Sequence, residues 1–189
     1  MTSGRGLHAR EVGLVAAALA LIADQGLKSF LLYGAGFAHM PPGAAVPVLP
    51  FFNLVMVWNP GISYGLFPAS SAVGTWTLVG VSIVAVAALA WWLWDTTSRP
   101  LAAGLGLIIG GALGNNLIDR LVYGKVADFF HFYGFGYDWY VFNIADLAIT
   151  LGAVAILYDV LQPQPPQDPD KSASWRTKPS FPKTGGGKA

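Results

Sequence analysis

The amino-acid sequence predicts an all-α integral membrane protein with four transmembrane helices and a small extracytoplasmic β-cradle. Three observations support this fold class. Of the 189 residues, 54% are hydrophobic and 11% are charged, and the mean hydropathy is +0.52, well above that of a soluble globular domain. Four apolar runs reach the length of about 20 residues that a helix needs to cross a bilayer. Lysine and arginine are also distributed unevenly between these runs.

The four predicted spans are separated by one short connection and two long ones. They cover residues 11–33, 72–94, 101–121 and 139–160. The first resembles a signal peptide, but it is too long, and two charged residues interrupt its apolar core. We therefore expect it to remain as a helix in the mature protein.

The distribution of basic residues predicts the orientation. Arg5 and Arg10 precede the first span, Arg99 lies in the short link between the second and third, and a lysine-rich segment follows the fourth. The long connection 34–71 contains neither Lys nor Arg, and the second long connection contains only Lys125. Because basic residues remain on the cytoplasmic side, we expect both termini in the cytoplasm and both long connections outside.

Two further regions complete the domain organisation. The connection 34–71 is rich in β-branched and aromatic residues and contains Asn59 just before a Pro-Gly turn signal, which predicts a small outward sheet resting on the lipid interface. Residues 1–161 are expected to form one membrane domain. Residues 162–189 are rich in Pro, Lys, Ser and Gly and are expected to be a disordered cytoplasmic tail.

Polar side chains are concentrated at the predicted outer ends of three spans. Several are spaced i,i+3 or i,i+4, so that they share a helix face, and the rise of 1.5 Å per residue brings them to a similar depth. Ionisable groups in hydrocarbon are costly and usually functional, so their convergence predicts a reaction centre. The set comprises Asp24, Lys28, Asn116, Asp119, Arg120, Asn143 and Asp146, with Asp128 in the connecting loop and Asn59 at the turn.

The available side chains limit the chemistry of such a centre. The chain has no cysteine and only three widely separated histidines, so we expect neither a thiolate nucleophile nor a metal site, and no cofactor. The net charge of +1 gives no indication of a nucleic-acid partner. Carboxylates remain, and two close carboxylates that share a proton can activate water and hydrolyse a peptide bond.

The residues next to each candidate carboxylate in sequence divide the four into two that have a basic partner and two that do not. Asp24 has Lys28 one helical turn away, and Asp119 is followed directly by an arginine, so both are expected to be held ionised. Asp128 and Asp146 have apolar neighbours, which favours the perturbed protonation of a catalytic pair. The alternatives are that Asp128 is an ordinary loop aspartate and that Asp146 is a charge favoured by the helix dipole.

These residues resemble a known family, the bacterial lipoprotein signal peptidases (signal peptidase II), over about residues 10–160. The resemblance implies an aspartic endopeptidase of the bacterial cytoplasmic (inner) membrane that cuts prolipoproteins before a diacylglyceryl-modified cysteine at the extracytoplasmic face. It also implies Asp128 and Asp146 as the catalytic dyad. The matching blocks are Asp24-Gln25-x-x-Lys28, Phe52-Asn53, Asn59-x-Gly61-x-x-x-Gly65, Gly110-Gly-Ala, Asn116-x-x-Asp119-Arg120, Val126-x-Asp128-Phe129 and Phe142-Asn143-x-Ala145-Asp146.

One block departs from the family pattern Gly-Asn-x-x-Asp-Arg, because this chain has an additional residue. Asn115 matches when counted from Gly114, and Asn116 matches when counted from Asp119. One residue turns a side chain by about 100° on an α-helix. We assign Asn116, because it shares a helix face with Arg120.

Two other functions are compatible with intramembrane charges. A small proton-coupled transporter would use them as a relay, although polar residues would then be expected at the midplane, and the second span has none. A non-enzymatic lipid-binding or assembly factor would not need either aspartate of the pair. For the peptidase, the expected partners are lipid-modified prolipoproteins and membrane lipids, and the expected state is a monomer.

Overall fold

The computed structural model describes residues 7–41, 43–61 and 71–163. Within them, four helices are long and apolar enough to cross a membrane, namely Ala9–Gly34, Ala72–Asp95, Arg99–Tyr123 and Ile144–Leu161. The four predicted spans are therefore confirmed. The largest difference is at the start of the fourth, which begins at Ile144 because Asn143 caps the helix. The predicted tail, apart from residues 162 and 163, lies outside the described residues, as does Arg5.

The spans are not uniformly α-helical. Two π-helical turns, which have i→i+5 bonding and often occur at functional sites, prolong or join them: Phe30–Gly34 follows α1, and Leu113–Asp119 joins α3 to α4. The α-helices are α1 (Ala9–Ser29), α2 (Ala72–Asp95), α3 (Arg99–Ala112), α4 (Arg120–Tyr123) and α5 (Ile144–Leu161).

Helix α3 lies at the centre of the bundle and packs closely against α1 and α5. A Cβ atom on Gly106 would collide with the backbone carbonyl of Gly13, and one on Gly104 would come within 2.8 Å of the Gly152 carbonyl oxygen. Small residues at these positions thus allow the helix backbones to touch. Helix α2 packs more loosely, and only Val79 and Leu93 of its residues are buried.

Beside the helices, the protein forms a four-stranded antiparallel sheet of order β1-β2-β3-β4. Its strands are β1 (Ala45–Leu49), β2 (Phe52–Asn59), β3 (Val126–Gly134) and β4 (Tyr137–Asp138). The first two confirm the predicted cradle. The connection 122–138 was expected to be a loop, and this was wrong, because its aromatic run pairs with β2 and satisfies its backbone there. The protein therefore contains more β-structure than the predicted all-α fold class implies.

Strand β3 anchors the sheet to the helices and orients Asp128. Alternate side chains of a strand point to opposite faces, so the buried neighbours Ala127 and Phe129 leave Asp128 on the other side of the strand. Asp128 is paired with Val57 across the ladder. The apolar cluster beneath the strand consists of Leu31, Leu32, Phe37, Ala127 and Phe129.

Candidate active site

A buried ion network lies where α1 meets the C-terminal end of the third span. The ammonium of Lys28 is 2.8 Å from Asp24 Oδ2 and 2.8 Å from Asp119 Oδ2. It also donates to Asn115 Oδ1 at 2.6 Å. All of these side chains are at most 5% exposed. Because two carboxylates face one ammonium, the network needs further hydrogen-bond donors to remain ionised.

Those donors come from a neighbouring amide and from two backbone positions. The Gln25 side chain donates to Asp24 at 3.0 Å and to Asp119 at 2.9 Å. Asp24 also accepts from the backbone N–H of Ala145 at 3.0 Å, and Asp119 from that of Ala127 at 3.1 Å. The network therefore holds the start of α5 and the start of β3, each one residue from a predicted catalytic aspartate.

Asp128 and Asp146 face the same cavity, which has a volume of about 480 Å³, within the range of small-molecule sites. Asp128 is 2% exposed, and Asp146 is half-buried. The cavity brings together side chains from β2, β3, α2, α5 and the π-helical turn. It is lined by Asn59, Gly61, Leu78, Val81, Ser82, Asn115, Asn116, Arg120, Val126, Asp128, Tyr140, Asp146, Ile149 and Thr150.

Asn143 connects the two aspartates directly. Its side-chain amide donates to Asp128 Oδ1 at 2.6 Å. Its backbone N–H donates to Asp146 Oδ2 at 3.1 Å, and its side-chain oxygen accepts from the backbone N–H of Asp146 at 3.0 Å. This reciprocal capping of α5 fixes both carboxyl groups relative to one residue.

The remaining oxygens of the pair are held by two other asparagines. Asn59 Nδ2 donates to Asp128 Oδ2 at 3.1 Å, and Asn115 Nδ2 donates to Asp146 Oδ1 at 3.0 Å. Each oxygen of both carboxyl groups thus has an N–H donor. Such a shell restricts the rotamers of the pair and gives it a defined position in the cavity.

Burial raises the pKa of the Asp128 carboxyl group to about 7, and the negative charge of Asp146 acts in the same direction. The hydrogen bonds from Asn59 and Asn143 and the charge of Lys28 oppose this rise. Near neutral pH, Asp128 is therefore present in both protonation states, which suits a group that holds and releases a proton.

Asn116 lines the cavity, and its neighbour Asn115 lies there as well. The predicted contact with Arg120 is present, with Arg120 Nε donating to Asn116 Oδ1 at 3.3 Å. However, Asn115 makes the contacts to Lys28, Asn143 and Asp146. The reason is the π-helical turn, which has more residues per turn than an α-helix and brings Asn115 rather than Asn116 to the inner face.

The expected pairing of Asp119 with Arg120 is also wrong, since Lys28 is the partner of Asp119. Successive residues on a helix point about 100° apart, and Arg120 turns toward the sheet. It donates to the backbone carbonyl oxygens of Pro60 at 3.1 Å and Gly61 at 2.5 Å. Gly61 N–H in turn donates to Asn59 Oδ1 at 3.0 Å, so Arg120 positions the asparagine that contacts Asp128.

Several residues of the site carried no predicted role, among them Gln25, Asn115 and Tyr140. Gln25 and Asn115 complete the hydrogen bonding of the buried carboxylates, and Tyr140 lines the cavity. The i,i+4 spacing of Asn115 and Asp119 was available as a signal for Asn115. No spacing rule indicated Tyr140, because the chain before α5 is extended.

We expect Arg120→Lys to reduce activity about tenfold or more while the protein remains folded. Lysine keeps the positive charge but lacks the planar group that reaches two carbonyl oxygens together, so Asn59 would lose its fixed position. Steady-state kinetics and thermal unfolding of the purified variant would test this. Lys125→Arg, at an exposed position, is the control, and full activity of Arg120→Lys would show that charge alone is enough.

Comparison with known proteins identifies the family of this chain. A family model described as signal peptidase (SPase) II matches residues 16–162. The chain is 49% identical over 154 residues to the lipoprotein signal peptidase of Rhodopseudomonas palustris (strain TIE-1), covering 79% of this chain and 92% of that protein. It is 50% identical over 151 residues to that of Nitrobacter hamburgensis, covering 78% and 90%.

A solved structure supports the same relationship. It is described as a bacterial membrane enzyme determined by the in meso method at 2.3 Å resolution. It superimposes with a TM-score of 0.68 at 26% sequence identity, covering 89% of this chain and 93% of its own. With a family match over most of its length and relatives at about half identity, the chain belongs to the signal peptidase II family.

Proposed function

We propose that this protein is an aspartic endopeptidase that removes signal peptides from diacylglyceryl-modified bacterial prolipoproteins. Its family makes it a protease that removes signal peptides, and its four apolar helices make it a multi-pass membrane protein. The observation that carries the aspartic mechanism is the single cavity shared by Asp128 and Asp146, with Asn143 bonded to both carboxyl groups.

In the proposed mechanism the pair shares one proton. Asp128, with its raised pKa, carries this proton and donates a hydrogen bond to the scissile carbonyl oxygen. Asp146, ionised, accepts a proton from a water molecule as that water attacks the carbonyl carbon. The proton acquired by Asp146 then passes to the leaving nitrogen as the C–N bond breaks, and no covalent enzyme intermediate forms.

The walls of the cavity are consistent with a lipid-anchored substrate. On the membrane side they are formed by apolar residues of α2 and α5, including Leu78, Val81 and Ile149. The acyl chains of a lipid-modified cysteine could therefore remain in hydrocarbon while the adjacent peptide bond reaches Asp128. The family match does not favour the alternative of a proton-coupled transporter.

The test of this function is a cleavage assay with purified full-length protein. A prolipoprotein peptide carrying a diacylglyceryl-modified cysteine should be cut on the amino side of that cysteine. The same peptide without the lipid should be cut far more slowly. Equal cleavage of both peptides would contradict the lipid requirement, and no cleavage of either would remove the proposed function.

The proposed location is the bacterial inner membrane, with the site at its extracytoplasmic face. We expect reporter fusions near residues 55 and 132 to report an outside position, and a fusion near residue 175 to report the cytoplasm. The reason is that, apart from Lys125, the basic residues that flank the spans lie on one side. A cytoplasmic signal near residue 55 would invert the arrangement.

If the two aspartates share one proton, we expect the peptidase activity to fall above neutral pH. The folded-state pKa of Asp128 is raised to about 7, so as the pH rises through that value the pair loses its one proton and kcat/KM should decrease. A profile of kcat/KM between about pH 5 and pH 9 should therefore show its descending limb near 7. A flat profile through this range would contradict the proton-sharing pair.

A further inference from the structure

Two smaller crevices follow one another along α2 beside the catalytic cavity, and we call them together the α2–α3 groove. Its outer part has a volume of about 270 Å³ and its inner part about 250 Å³. The lining residues of α2 recur at intervals of three and four, so they form one helix face. The outer part is lined by Ala72, Thr75, Trp76, Val79, Arg120, Leu121 and Gly124, and the inner part by Ser82, Ile83, Val86, Ala87, Ala112, Leu113 and Leu117.

The groove and the catalytic cavity share two residues. Arg120 lines the outer part of the groove and also the cavity, and Ser82 lines the inner part and also the cavity. Arg120 and Ser82 therefore lie at the boundary between the cavity and the groove.

The length and polarity of the groove match one acyl chain. From Thr75 to Ala87 the helix rises roughly 18 Å, close to the roughly 15 Å that acyl chains of one leaflet span in a bilayer core. The outer end contains the Thr75 hydroxyl group and the Arg120 guanidinium, while every residue that lines the inner part except Ser82 is apolar. An acyl chain of a membrane lipid has the same order, with its ester group at the interface and its hydrocarbon tail deeper in the bilayer.

We propose that the α2–α3 groove binds one acyl chain of the lipid-modified cysteine while the scissile bond lies in the catalytic cavity. The proposal rests on the proposed function and adds a lipid subsite to it. The second chain stays on the cavity side. Because lipid is as apolar as the groove, burial supplies little net affinity. The groove acts through its shape and selects substrates by chain length.

Chain-length selectivity provides the test, with Ala87→Phe as the variant that fills the inner end. Ala87 is exposed to the groove and lies in no tightly packed core, so the substitution should not disturb folding. Full-length protein in lipid nanodiscs would be assayed with the same peptide carrying palmitoyl or octanoyl chains. We expect the palmitoyl-to-octanoyl ratio of kcat/KM to fall about tenfold. This is the smallest factor by which a hydrophobic pocket distinguishes two substrates that differ by one methylene group.

Ala88→Phe is the matched control, since Ala88 is also exposed but does not line the groove. It should leave the ratio unchanged. An unchanged ratio in Ala87→Phe, with both peptides still cleaved, would overturn the acyl subsite and leave the peptidase function intact. An equal fall in Ala88→Phe would also overturn it, because the effect would then be one of bulk on α2 in general.

Photocrosslinking tests binding of the acyl chain in the groove independently of cleavage. The Asp128→Asn variant would be mixed with a peptide whose palmitoyl chain carries a terminal diazirine, and labelled residues would be mapped by mass spectrometry. Labels on the stretch around Leu113 and Leu117 support the groove even if cleavage fails. Labels confined to the outer lipid-facing side of α2, around Val84, would mean that the chain stays in the bilayer and would overturn it.

Discussion

Asp128→Asn and Asp146→Asn should each lower cleavage of the lipidated peptide by roughly 10⁴-fold or more. Asparagine keeps the size and polarity of the side chain but can neither accept a proton from water nor carry the shared one. Both carboxyl groups face one cavity and both are bonded to Asn143, so they are expected to work as a unit. The measurement is kcat/KM for the purified variants, together with their unfolding temperatures.

The double variant should be no slower than either single variant, because residues that act together are strongly non-additive. Asp138→Asn is the matched control, since that carboxylate is exposed on β4 and should leave activity unchanged. Substantial cleavage by a well-folded Asp128→Asn or Asp146→Asn protein would remove the dyad and with it the proposed reaction.

Lys28→Met should cause the largest loss of stability of any single change at the site. The Lys28 ammonium lies 2.8 Å from carboxylate oxygens of both Asp24 and Asp119, and both are fully buried. Methionine has a similar volume but leaves two buried carboxylates without their cation. Breaking a buried pair in this way costs about 3–5 kcal/mol, to be measured by unfolding in detergent.

Lys125→Met is the control for this change, because Lys125 is exposed and its replacement should cost little. Adding Asp119→Asn to Lys28→Met should restore part of the lost stability, since one uncompensated charge is removed. If Lys28→Met unfolded at the wild-type temperature, the network would not be held by ionic contacts. Loss of activity in Lys28→Met would be secondary, arising from displacement of β3 and α5.

The positions of the helices and of the polar cluster could be predicted from local rules. Hydropathy alone identified four spans to within about five residues, because the length of a span is set by the bilayer. The i,i+4 spacing of Asp24 and Lys28 predicted their ion pair, which the structure contains. A constant rise per residue brought Asn143 and Asp146 to the depth of Asp119, and one network now connects them.

Features that depend on distant partners could not be predicted in the same way. Strand β3 is extended because β2, about 70 residues earlier in sequence, pairs with it, and a short aromatic run has no periodicity that reveals such a partner. Arg120 binds two backbone carbonyl groups, which have no side-chain signature. Asn115 was not assigned because Asn116 shares a helix face with Arg120, whereas both asparagines line the cavity.

The π-helical turn Leu113–Asp119 allows the third span to contain an additional residue without changing the direction in which the side chains after it point. In an α-helix, one inserted residue rotates everything after it by about 100°, which here would carry Asp119 away from Lys28. A π-helical turn accommodates such a residue, so the helical segments before and after it present the same faces to their neighbours. This position can therefore gain or lose one residue over evolutionary time without dismantling the reaction centre on either side.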